Sequence, residues 1–208
     1  MRKFGRMGLA GPRFAVLSVA VLGLGGLIAG MALAGPLDAP LEGKVAKKQM
    51  FSPKGGEVQM MALDFLSADH AAILQSVAQG YAYYGAVAVS PDEDLLQSEA
   101  TQATANHHSV EAASQAALAG CDKLRKGKSP CVIAALIRPK GWEARALQLS
   151  VEGTVALNKD YGKRGARAMA ISPGTGFFSL AKGDAAQATA LAACTAKGAK
   201  DCVIAVAD

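Results

Sequence analysis

Neither a Gly-x-Ser-x-Gly elbow nor a phosphate-cradling Gly-x-x-x-x-Gly-Lys or Gly-x-Gly-x-x-Gly after a strand occurs in these 208 residues. The common sequence marks of serine hydrolases, P-loop enzymes and dinucleotide-binding proteins are therefore missing. The three histidines have no evident triad partners. Acidic side chains are absent from residues 1–34, which hold Arg2, Lys3, Arg6 and Arg13. The remaining 174 residues carry 18 bases against 17 acids, so the formal net charge of +5 falls to +1 beyond that segment. A chain so nearly neutral offers no concentrated basic face for nucleic acid. With 51% hydrophobic residues it is also too apolar for a disordered chain.

Residues 1–13 read as a cationic start, and Phe14 to Ala34 is a run without charge that ends in Ala32-Leu33-Ala34. That is the pattern of a signal peptide cleaved after Ala34. A run of 21 residues is also long enough for an uncleaved anchor. Both readings export the rest of the chain, to the periplasm or outside the cell. No later run is long and apolar enough to span a membrane, so no span is expected in the mature chain.

Export changes the meaning of the four cysteines. They form two close pairs, Cys121/Cys131 and Cys194/Cys202, with nine and seven residues between partners. Zinc knuckles space their ligands by two to four residues. In an oxidising compartment these cysteines read as disulfides, for which three connectivities are open.

An internal repeat favours local pairing. Ala86-Val-Ala-Val-Ser-Pro91 matches Ala168-Met-Ala-Ile-Ser-Pro173, Ala117-Leu-Ala-Gly-Cys121 matches Ala190-Leu-Ala-Ala-Cys194, and Cys131-Val-Ile-Ala134 matches Cys202-Val-Ile-Ala205. The blocks keep their order, and each pair of cysteines recurs in the same context. The expected organisation is a leader at 1–34, an N-terminal linker at 35–56, and repeats at 57–140 and 141–208.

Each repeat is read as β-α-β-β-α-β, the element order of a ferredoxin-like α+β sandwich with both helices on one face of an antiparallel sheet. In the first, Ser67 caps a helix that buries Ile73, Leu74 and Val77 and stops at Gly80. Strands follow at Tyr81–Val89 and, more weakly, Leu95–Ala105. Ser109 caps a second helix, whose apolar residues Val110, Ala113, Ala117, Cys121 and Leu124 step by three and four. Cys131–Ile137 is the last strand. In the second repeat Ala146–Leu149 is the leading strand, Ser150 and Asp184 are caps, and Asp184 with Gln187 has capping-box spacing. Each disulfide would staple a helix end to the following strand.

Few residues suggest chemistry. His107-His108 beside Asn106 is a possible ligand pair, but adjacent residues on an extended chain point apart and no third ligand is evident. A pair of polar loop residues is the plainer reading, and no metal or cofactor is expected. Asp92-Glu93-Asp94 lacks the glycine and distal acid of a calcium loop and reads as a solvated turn. Lys123, Arg125, Lys126 and Lys128 make the first disulfide loop basic and form a possible contact for an anionic partner.

The Tyr84-Gly-Ala-Val-Ala-Val-Ser-Pro91 strand, the Ser109-x-Glu-Ala-Ala-Ser-x-Ala-Ala-Leu118 helix leading to Cys121, and Cys131-Val-Ile-Ala134 resemble a family of small exported bacterial proteins. That family is a domain of unknown function with a Gly-Ala-x-Ala strand, an Ala-rich helix and paired cysteines. The resemblance implies an exported module with no catalytic residues to carry over. Whole chains similar to this one carry the label 5-aminolevulinate synthase. Such an enzyme needs a pyridoxal-phosphate lysine and a pyridine-binding aspartate in a much larger fold, and these residues do not supply them. The expected function is a non-catalytic binding or structural module of the cell envelope, acting on an unknown protein or small ligand. A partner or inhibitor of another envelope protein is the alternative, and an enzyme the less favoured one.

Overall fold

The computed structural model describes residues 39–208. The leader expected at 1–34 lies outside them. Among the described residues, five helices and two antiparallel sheets make a mixed α+β architecture. A short helix, α1 (Gly43–Gln49), falls in the stretch expected to be a linker.

The first half runs β1 (Gly56–Met60), α2 (Ala68–Ala78), β2 (Gly85–Val89), β3 (Gln102–Thr104), α3 (Val110–Leu124), β4 (Val132–Pro139). The second runs α4 (Val151–Lys159), β5 (Arg167–Ile171), β6 (Phe178–Lys182), α5 (Ala186–Thr195), β7 (Val203–Ala207). The sheets are ordered β1-β4-β2-β3 and β6-β5-β7.

Serine caps start three helices as expected. The hydroxyls of Ser67, Ser109 and Ser150 accept the backbone N–H of His70, Ala112 and Gly153 at 3.1–3.2 Å, satisfying donors the first turn leaves open. Asp184 does not cap α5. The chain turns at Gly183, whose carbonyl takes the Ala186 N–H, and the cap position falls on Ala185, which makes no side-chain cap bond.

The expectation of both helices on one sheet face is corrected. Along β2, Ala86 and Ala88 pack with Val110, Ala113, Ala117 and Cys121 of α3. Val87 and Val89 pack with Leu74 and Ala78 of α2. Successive strand residues point to opposite faces, so α2 and α3 cover opposite sides. In the second half Ala168 and Ala170 meet Ala186, Ala190 and Cys194 of α5, while Met169 and Ile171 meet Leu157 of α4. Apart from Arg167 at the start of β5, the central strands β2 and β5 carry no polar residue on either face and must be covered on both. The alanine face of each lets an alanine-rich helix sit close, and its larger face fills the space under the other helix.

The second half also lacks the leading strand expected at Ala146–Leu149. Leu147 and Leu149 are buried but belong to no strand; they fill the core below α4. The matching sheet edge is occupied from elsewhere. In the first sheet the carbonyl of Ala134, the extra residue of a bulge between β4 and β2, accepts the Met61 N–H that follows β1 at 2.9 Å. In the second, the carbonyl of Ala205, the extra residue of the bulge between β7 and β5, accepts the Leu41 N–H at 2.9 Å. Leu41 thus covers the β7 edge, pairing with Val206.

Three smaller expectations also change. Tyr81–Tyr84 precede β2 rather than joining it. The weak third strand shrinks to β3 because Asp94 Oδ1 accepts the N–H groups of Leu96 and Gln97, folding that stretch into a turn. Ile73 and Val77 are 42% and 52% exposed; α2 buries Leu74, as expected, together with Ala78.

Candidate functional site

The chemistry-bearing side chains gather in two settings: a polar seam where the two halves meet, and a latch beside each disulfide.

His108 is the centre of the seam. It stands just before the Ser109 cap and is 2% exposed. Its backbone N–H donates to Thr175 O at 3.0 Å. Its Nδ1 accepts the Ser150 N–H at 3.0 Å, so the tautomer places the proton on Nε2, which donates to Phe177 O at 2.9 Å. Both ring nitrogens are therefore engaged by the second half. Burial pushes the imidazole down to about 4, outweighing the opposing pull of the Phe177 carbonyl. Asn106 adds a bond from the Glu152 N–H to its Oδ1 at 3.3 Å. Its left-handed backbone, φ 60°, brings its carbonyl against Gly176, where a Cβ would lie 1.9 Å from that oxygen. His107 turns the other way: its Nδ1 meets Ala105 O at 3.2 Å. Tyr83 and Tyr84 lie side by side in the same region, ring centroids 5.3 Å apart, their buried hydroxyls without partners among the described residues. Burial raises both phenols.

The latches tie each turn after the central strand to the disulfide loop of the same half. Cys121 is bonded to Cys131 and Cys194 to Cys202, with Cα atoms 6.1 Å apart in both. In the first half the acids belong to the turn. Asp92 accepts the N–H and hydroxyl of Ser129, at 2.7 and 2.9 Å. Glu93 Oε1 accepts the N–H groups of Lys126 and Gly127, at 2.8 and 3.1 Å. The solvated turn expected at 92–94 is thus a clasp for the loop. The Ser98 hydroxyl, followed by the Gly127 and Lys126 amides, holds the Glu93 carboxyl down at about 2. The Ser129 amide likewise lowers Asp92. In the second half the polarity is exchanged. Asp201, within the disulfide loop, takes the Gly174 N–H at 2.7 Å and the Ser172 hydroxyl. Burial raises the Asp201 carboxyl, but these donors win and leave it below the ordinary range.

The expected anion contacts sit on the first of these loops. Arg125 turns inward, its Nε on Asp122 at 2.8 Å and its Nη1 on the carbonyls of Gly127 and Lys128. Lys126 lines a cleft with Glu93, Asp94 and Glu99. Lys123 and Lys128 face outward. Among the described residues no three His, Cys, Asp or Glu side chains converge on a metal position. Reading along the chain could not reveal the buried role of His108, because its partners lie 42 and 69 residues away.

The fold and these sites define a disulfide-stapled α+β module in which acids and a buried imidazole hold loops in place. The chain belongs to the family described as Domain of unknown function (DUF4189), whose model matches residues 84–208. No curated protein and no solved structure matches it. Among the described residues no helix is long and apolar enough to cross a membrane.

Proposed function

We propose that this is an exported module of the cell envelope, built from two copies of one unit at 57–140 and 141–208, that binds or supports rather than catalyses. The observation that carries the reading is the use made of its titratable groups. Asp92, Glu93, Asp122 and Asp201 accept backbone N–H groups of their own chain, and His108 is bonded at both nitrogens. Groups so engaged fix loops and are not poised for proton transfer. The duplication is supported by bulges at Val87/Ala88 and Met169/Ala170 and by disulfides in matching places. Disulfides in turn fit an oxidising compartment.

The test is expression with the native leader, followed by fractionation and intact-mass measurement. The expected species is exported, lacks residues 1–34 and has no free thiol. A cytoplasmic, reduced, full-length species would overturn the export reading. A turnover lost in a well-folded Asp201→Asn protein would overturn the non-catalytic one. A second reading, a partner for another envelope protein, is favoured by exposed Ile73 and Val77, one turn apart on α2, with Tyr81 exposed beyond its end. Loss of a co-purifying protein in Ile73→Glu/Val77→Glu would favour it.

A further inference from the structure

We infer that the cleft beside Tyr161 binds a phosphate group, and that this site is separate from the seam and from the basic disulfide loop. The cleft has a volume of about 320 Å³, at the lower end of the roughly 300–1,000 Å³ of small-molecule sites. Lys44 and Lys47 of α1 line one side; Lys163, ahead of β5, and Arg167, its first residue, line the other. Lys182 approaches its rim, with Nζ 3.6 Å from where a Cβ on Gly162 would stand.

The packing here is built to bring these cations together. Gly43 is needed at the start of α1, because a Cβ would meet the Tyr161 ring at 2.5 Å and Asp208 Oδ2 at 2.6 Å. Its N–H bonds Asp208 Oδ2 at 3.1 Å, and Arg167 Nη2 reaches the same oxygen at 3.1 Å. Tyr161 forms the floor, its hydroxyl donating to Arg167 O at 3.2 Å, with the Arg167 guanidinium 5.3 Å from its ring centre.

The charge does not balance. Four lining cations face Asp208, which Arg167 and the Gly43 amide already share. Among the described residues Lys44, Lys47 and Lys163 have no hydrogen-bond or ion-pair partner, and the buried Nε of Arg167 has none either. Residues 35–208 carry a net charge of only +1, so this excess is local. Lysine ammoniums serve phosphate as point charges. A half-enclosed cleft also strengthens their field relative to open water. The phosphate can belong to a free monoester or to a lipid headgroup. The inference does not depend on where the protein resides.

The experiment titrates the folded protein, residues 35–208 with both disulfides formed, with inorganic phosphate at low salt and follows backbone amide NMR shifts. Saturable shifts at Lys44, Gly162 and Lys163 are expected, weakening as salt is raised. Lys44→Gln/Lys163→Gln changes two exposed side chains and should weaken binding at least tenfold with an unchanged melting temperature. Lys123→Gln/Lys128→Gln should bind as the unaltered protein does. Flotation with phosphatidylglycerol vesicles that depends on Lys44 and Lys163 would support the site with a lipid as the source. Absence of flotation beside intact phosphate binding would support it with a small molecule as the source. No saturable shift, equal binding by Lys44→Gln/Lys163→Gln, or loss in the Lys123/Lys128 variant instead would overturn it.

Discussion

Acidification should loosen the seam through His108 before it affects the carboxylate latches. In the folded protein the imidazole must stay neutral, because Nδ1 accepts the Ser150 N–H and a proton there would face that donor. Its folded value is about 4, whereas a free histidine titrates near 6.5. Above pH 6.5 both states hold it neutral and it contributes no pH dependence. As pH falls below 6.5 the unfolded chain takes up the proton first, so stability declines until the folded value is reached. At 1.36 kcal/mol per pH unit the full loss is about 3 kcal/mol, and about 2 kcal/mol should be gone by pH 5. The depressed carboxyls of Asp92, Glu93, Asp122 and Asp201 have the same sign, but their stabilisation is lost only as pH falls below the ordinary carboxylate range near 4. The window from 6.5 to 5 is thus mainly histidine. His107, half-buried and also lowered by burial, contributes there too, so His107→Gln is the control. The assay is urea unfolding at pH 7.5, 6.5, 5.8 and 5, followed by Trp142 fluorescence. His108→Gln should lose roughly 1–3 kcal/mol at pH 7.5, since buried partners are poorly matched. Its stability should then fall less steeply to pH 5, by the part that His107 contributes, and the His107→Gln/His108→Gln protein should stay nearly level. An equal slope in His108→Gln and the unaltered protein would refute the reasoning.

Cys121→Ala plus Cys131→Ala should lower stability by up to about 3 kcal/mol in the chain-entropy model, and non-reducing peptide mapping should still find Cys194 bound to Cys202. Tyr84→Phe should leave stability unchanged or raise it by about 1 kcal/mol, because it removes a buried hydroxyl that has no partner among the described residues; thermal unfolding reads this directly. Gly176→Ala should cost about 2 kcal/mol or more by driving a methyl into the Asn106 carbonyl, and the amide shifts of Asn106 to His108 should move.

The sequence carried much of the local structure because its signals are short-range. Ser67, Ser109 and Ser150 each bond an amide three residues on. The disulfides close separations of 10 and 8 residues within repeated contexts. Even the two-sided burial of the central strands was present, in Gly85-Ala-Val-Ala-Val89, where no polar residue marks a solvent face. A two-layer sandwich was therefore the wrong inference from an element order that holds in the first half and lacks its leading strand in the second. The Asp184–Gln187 spacing misled because a cap also needs the chain to enter the helix there, and Gly183 sends it elsewhere.

What the sequence alone determined was an inventory: the serine-capped helix starts, alanine faces, most strands and the cysteine pairs, all set by residues close to one another along the chain. Tertiary structure decided which residues meet across long separations. Leu41 covers the β7 edge, His108 joins the halves, and Lys44 and Lys163 share a cleft. Such pairings follow from how whole elements bury their apolar faces, and one local residue pattern is compatible with several of those arrangements.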